Sequence, residues 1–174
     1  AQESRGLGDV YKRQNEYIDA VQSAYDAKND FSQVILLAKK GVSHLNKVEI
    51  EVGKPIKVML YQKAADLKEA FETVGKPAAL EYKYDGFRMQ LHKKDGKVKL
   101  FTRRLEEVTK QFPDVVSVVE KHIKGNNFIL DSEVIGIDPK TKKWRPFQEI
   151  SQRIKRKYDI HKMIKELPVM INVF

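Results

Sequence analysis

Glu81-Tyr82-Lys83-Tyr84-Asp85-Gly86-Phe87-Arg88 is the stretch around which the chain is organised, and Ala79-Leu80 leads into it. Downstream, Phe87, Met89 and Leu91 alternate with Arg88, Gln90 and His92, the period of a half-buried strand. Upstream, the same period predicts a first strand with Glu81, Lys83 and Asp85 on one face and Leu80, Tyr82 and Tyr84 on the other. Gly86 separates the two runs, and a turn glycine lets backbone approach a ligand closely. Lys83 thus stands between two carboxylates, next to a glycine turn and an arginine, which makes it a candidate nucleophile. The plainer alternative is a solvated edge lysine that discourages strand pairing, in a chain with 33 Lys and Arg.

With 174 residues, 41% of them hydrophobic, the chain has room for one ordinary domain or for an incomplete domain plus part of another. No apolar run approaches the length of a membrane-spanning helix, and the polar N-terminus carries no secretion signal. The absence of cysteine excludes disulfides and thiolate metal sites, as suits a cytoplasmic protein. The net charge of +9 is concentrated. Residues 1–52 hold 7 cationic and 8 anionic side chains, whereas residues 140–165 hold 10 cationic ones against Glu149 and Asp159. A localised basic block is the usual footprint of a polyanion partner; a solubilising helix surface is the alternative.

Residues 1–14 lack periodicity and are expected to be a loose or non-native leader. A helix is predicted over 15–29, followed by a second that starts at Asp30, an N-cap with Gln33 three residues on, and stops at Gly41. Gly53-Lys54-Pro55 marks the boundary between a helical unit (15–53) and a second unit (54–174). There, Ile56 to Leu60 reads as extended. Asp66 and Glu69 make a capping box for a helix burying Leu67, Ala70, Phe71 and Val74. Asp95-Gly96 turns a hairpin into a strand from Val98 to Thr102, and Pro113 opens a helix with Val115, Val116, Val119 and Ile123 inside. Phe128 to Ile135 is an apolar strand carrying Asp131 and Glu133 on one face. The basic block should form helices split near Asp159, and Pro168 to Phe174 begins a further strand. A core strand at the chain's end is read as the sign of a fragment.

Lys83-Tyr84-Asp85-Gly86 followed by Arg88 resembles the nucleotidyl-lysine motif of the covalent nucleotidyltransferases: DNA ligases, RNA ligases and messenger-RNA capping enzymes. Phe101-Thr102-Arg103-Arg104, Leu130-Asp131-Ser132-Glu133 and Asn172-Val173-Phe174 resemble later motifs of that family in its order. The run from Arg145-Pro146-Phe147-Gln148 to Lys157 resembles the archaeal branch of the ATP-dependent DNA ligases. Over residues 20–174 the likeness implies an α+β fold. The end of an all-α DNA-binding domain would precede an incomplete, ATP-grasp-like adenylation domain of mainly antiparallel sheets with flanking helices. It implies ATP and Mg²⁺ as cofactors and nicked double-stranded DNA as substrate, sealed in replication, repair and recombination. It further implies a nucleoid-associated monomer that meets no membrane and engages a sliding clamp through N-terminal regions beyond this chain.

Carried over by position, Lys83 would be the adenylated nucleophile and Glu81 the acidic residue at the adenine. Arg88 would contact the nucleotide or the nick phosphate, and Arg103 the 5′-phosphate side. Glu133 would hold the ribose, and Phe174 would stack on adenine. Phe87 departs from the family, which more often has a polar residue there. No metal ligands are singled out. The likeness also implies a later glutamate motif, a lysine pair and an oligonucleotide-binding barrel outside this chain, so the polypeptide alone is expected to be inactive or partly active. An RNA ligase or capping-type enzyme, or a non-catalytic basic nucleic-acid-binding module, remains open on these residues.

Overall fold

The computed structural model describes residues 2–174, and their side chains from Gln14 onward. The first unit is three helices, α1 (Gln2–Lys28), α2 (Phe31–Ala38) and α3 (Val42–Leu45). The side chains of most of the leader expected over 1–14 lie outside the described residues. Asp30 caps α2 as its position suggests, accepting from the Gln33 N–H at 3.1 Å. The helices close over Ala20, Ala24, Val34 and Leu45, a small apolar cluster of their own.

Beyond Gly53 the chain builds α4 (Leu67–Val74), β1 (Phe87–Lys94), β2 (Lys97–Thr102), α5 (Pro113–His122), β3 (Phe128–Ile137) and β4 (Trp144–Arg145), then α6 (Phe147–Lys155), α7 (Ile160–Glu166) and β5 (Val169–Val173). All strand pairs are antiparallel. Asp95 (φ 49°) and Gly96 (φ 77°) both occupy the left-handed region, the geometry of a tight hairpin turn between β1 and β2. The whole is α+β.

β3 is the central strand. Its Val134 pairs with Phe87 of β1 on one edge and Ile171 of β5 on the other. Gly136 in turn pairs with Val169 of β5 and Arg145 of β4. So β4 takes over the β1 edge of β3 at the point where β1 leaves it. One face of the sheet carries the main core: Met89, Leu91, Leu100 and Val134 pack with Val115 and Val119 of α5 and Ile150 of α6.

The other face of β1 is not open to water as the alternation suggests. Gln90 and His92 are buried because the linker lies across them. Gln90 Oε1 accepts from the Ile56 N–H (2.9 Å) and its Nε2 donates to the Ile56 carbonyl (2.6 Å), while His92 Nδ1 accepts from the Gly53 N–H (3.0 Å). Backbone groups of an unpaired segment need partners when covered, and these two side chains supply them.

α4 corrects the sequence reading in the opposite sense. Its cap forms, with Asp66 accepting from the Glu69 N–H at 2.9 Å, but none of its residues is buried, and Leu67 and Val74 stand open. Of the predicted apolar stripe, Ala70 and Phe71 are only half-buried. Ile56 to Leu60 likewise joins no ladder. No helix among the described residues is long and apolar enough to cross a membrane.

Candidate active site

Lys83 reaches its place without a strand around it. The strand expected over residues 80–85 does not form: residues 80–84 have no ladder partner, 85 and 86 bend, and the regular strand begins at Phe87. β4 already fills the edge of β3 that such a strand would extend along, so the chain before Gly86 is turned away. Gly86 permits the close passage. A Cβ there would overlap the Val134 carbonyl oxygen and sit 2.8 Å from Ile135 Cγ2.

The diverted segment forms one wall of a cavity of about 380 Å³, lined by Glu81, Tyr82, Lys83, Tyr84, Glu133, Val173 and Phe174. That volume lies in the range of small-molecule sites. Four of the six residues singled out in the sequence therefore meet here: Lys83, Glu81, Glu133 and Phe174. Glu133 enters from β3, and Phe174 follows β5 directly, its N–H donating to the Asp131 carbonyl at 3.2 Å. Burial holds the Glu133 carboxyl above the ordinary carboxylate range, against the opposing pull of Lys83 and Arg88.

The other two predicted residues are not in the lining. Arg88 is engaged by Asp131: its Nε lies 3.0 and 2.9 Å from the two carboxylate oxygens, and its Nη2 donates to one of them. Its guanidinium also lies 5.7 Å from the centre of the Phe174 ring, so it borders the cavity from behind. Arg103 is exposed, one residue past the last β1–β2 pair, Met89 with Thr102. The register carries it toward Arg88, and among the described residues no ion pair holds it.

Asp131 is the residue that sequence reasoning left without a role. Its signal was present, since it shares a face with Glu133 two positions away. Tyr84 and Trp144 were also missed. Their rings meet edge-on at 5.5 Å and 61°, a pairing across 60 residues that no local pattern announces.

The basic block resolves into two kinds of cation. Arg153 is buried: it donates to both oxygens of Asp114 (3.0 and 2.6 Å) and to the carbonyls of Leu167 and Gln111, and lies over the Phe112 ring. Arg145 is held by Asp138 (2.7 Å) and Glu149 (3.2 Å). These two hold the fold together. Lys155 and Lys157, by contrast, are exposed.

Residues 58–174 match the family described as ATP dependent DNA ligase domain. A DNA ligase of Nanoarchaeum equitans is 52% identical over 157 residues, covering 90% of this chain and 28% of that protein. One from Acidianus ambivalens is 43% identical, covering 88% of this chain and 26% of its own length. Among solved structures, the ligase domain of M. tuberculosis LigD aligns with 54% of this chain and 27% of its own, at 24% identity and a TM-score of 0.37. The chain spans about a quarter of the length of the relatives it matches. With a cavity gathered around the lysine of a Lys-x-Asp-Gly motif, and with two thirds of its residues matching the family's model, the chain belongs to the ATP-dependent DNA ligase family.

Proposed function

We propose that this chain supplies the nucleophile and part of the nucleotide pocket of an enzyme that seals nicks in duplex DNA. The observation that carries the reading is the meeting of Lys83, Glu81, Glu133 and Phe174 around one cavity. Phe174 offers an aromatic face for a purine. Glu81 and Glu133 offer acceptors for an exocyclic amine and a ribose hydroxyl, groups that carboxylates bind well. Glu133, already pushed toward its protonated form by burial, holds a proton more readily than a surface carboxylate.

In this reading Lys83 Nζ, once deprotonated, attacks the α-phosphorus of ATP. A P–N bond forms, the bond to the bridging oxygen breaks, and pyrophosphate leaves with the electron pair. The adenylate then passes to the 5′-phosphate at the nick, regenerating the amine, and the 3′-hydroxyl displaces AMP. Arg88 and Arg103, on the Phe174 side of the sheet, are suited to phosphates that arrive with the DNA. Among the described residues no three His, Asp or Glu are grouped as a metal centre. A Mg²⁺ ion would accordingly be held chiefly by the nucleotide's own phosphate oxygens and water, and such an ion would offset charge on the leaving group.

The test is incubation of the full-length protein with ATP labelled at the α-phosphate, followed by peptide mapping. One AMP is expected on Lys83, and none there in Lys83→Ala. Equal labelling of the mutant would remove Lys83 from the chemistry. Labelling by GTP in preference to ATP would move the reading to the capping-type enzymes.

A further inference from the structure

Lys83 sits on a segment with almost nothing to define its course. Residues 80–84 have no ladder, and Glu81, Tyr82 and Lys83 are exposed. Effective covalent catalysis needs the attacking atom held in a narrow range of positions, so something must fix this stretch. One anchor is Gly86, wedged against Val134 and Ile135. The other is the lysine's immediate neighbour: Tyr84, half-buried, with its ring edge-on to Trp144.

Trp144 is well placed to act as a fixed support. It belongs to β4, pairing with Ile137, and the turn before it is tightly bonded. Asp138 N–H donates to the Lys143 carbonyl at 2.8 Å, and Asp138 Oδ1 accepts from the Lys140 and Thr141 N–H groups at 3.0 and 2.8 Å. The next residue, Arg145, is clamped between Asp138 and Glu149. Yet Trp144 itself is 58% exposed and absent from the apolar core. For this large aromatic on a well-bonded turn, outside the apolar core, the ring contact it makes among the described residues is the one with Tyr84.

We propose that Trp144 is a positioning residue for Lys83: held by the 138–145 turn, its ring braces Tyr84 and so sets the direction in which the adjacent lysine meets the α-phosphate. Trp144 touches no reacting atom. Its effect falls on the rate of P–N bond formation and not on nucleotide affinity, because the adenine and ribose contacts come from other residues. The inference rests on the adenylation reading above.

The experiment uses the full-length protein and its Trp144→Ala and Trp144→Phe variants. Single-turnover adenylation and ATP affinity are measured in each, together with amide hydrogen exchange of residues 80–85. In Trp144→Ala the adenylation rate should fall roughly 10- to 100-fold with affinity within about twofold, and exchange in 80–85 should quicken. Trp144→Phe, which keeps a ring edge for Tyr84, should recover most of the rate. A wild-type rate in Trp144→Ala overturns the inference while leaving Lys83 as the nucleophile. Loss of ATP affinity in step with rate also overturns it, since the residue would then serve binding. If the parent takes up no AMP at all, the adenylation reading fails, and the exchange data decide the brace alone: unchanged protection in Trp144→Ala overturns it, and faster exchange confined to 80–85 supports it.

Discussion

Arg88 and Asp131 pair diagonally across β1 and β3. The residue directly opposite Arg88 is Glu133, and the one opposite Asp131 is Gln90, yet the guanidinium reaches past Glu133 to the more distant carboxylate. Glu133 is thereby left to the cavity. Asp131 thus holds the guanidinium that stands opposite the pocket carboxylate. Asp131→Asn should release Arg88 toward Glu133, lowering ATP affinity and costing about 2 kcal/mol of stability, the scale of a charge-assisted hydrogen bond. Urea unfolding and ATP titration of the same preparation check both. Unaltered affinity would show that Arg88 does not compete for Glu133.

Gly86→Ala tests how the nucleophile's segment is threaded. The added methyl would run into the Val134 carbonyl, a backbone atom that cannot rotate aside. Relief requires the 80–86 segment to lift from β3, at a cost of about 1 to 3 kcal/mol. Adenylation should fall far more than folding does, because Lys83 moves with the segment. Comparing the single-turnover rate with the unfolding midpoint separates the two effects.

Cations of the basic block should divide by burial. Lys155→Gln with Lys157→Gln should flatten the salt dependence of nicked-DNA binding by roughly one unit for each phosphate left without its cation, with stability nearly unchanged. Arg153→Gln should do the reverse. It strands Asp114 beside a cavity in the core and should cost about 3 kcal/mol, as breaking a buried pair does. A salt-slope change for Arg153→Gln at constant stability would place that residue at the DNA after all.

His92 gives the protein an acid-sensitive seam. Burial lowers its pKa from 6.5 to about 4, so the folded protein keeps it neutral, with Nδ1 accepting from Gly53. The unfolded chain takes up a proton at higher pH than the folded one. Stability from this group is therefore fully present above pH 6.5 and is lost as pH falls toward 4, by about 3 kcal/mol at most. Chemical denaturation between those pH values should show the slope, and His92→Gln should flatten it.

Local rules recovered those elements that local chemistry determines. The Asp30 and Asp66 caps, the Asp95-Gly96 hairpin, Pro113 at a helix start and the break near Asp159 are short-range features, and each is where its residues predict. The failures have one physical source. Whether an amphipathic stretch is buried or paired depends on what lies opposite, and periodicity does not contain that. So α4 shows an apolar stripe that is nowhere fully buried, Gln90 and His92 look solvent-facing and are covered, and residues 80–85 alternate like a strand whose edge is already taken by β4. At the site, the resemblance of four separate motifs singled out six residues, of which Lys83, Glu81, Glu133 and Phe174 line the cavity while Arg88 and Arg103 do not. Asp131, Tyr84 and Trp144 make their contacts with other side chains, and a set of motif positions has no means of showing that.

The way Gln90 and His92 grip the linker has an evolutionary corollary. Their bonds to the linker go to main-chain atoms at Gly53 and Ile56. As far as this grip is concerned, Lys54 and Lys57 are free to drift in identity. It would survive almost any replacement at Ile56 except proline, whose missing amide hydrogen would undo it. The join thus depends on two side chains of β1 and on the backbone course of the segment they grasp, where Gly53, at φ 96°, is the one gripped position whose conformation favours glycine.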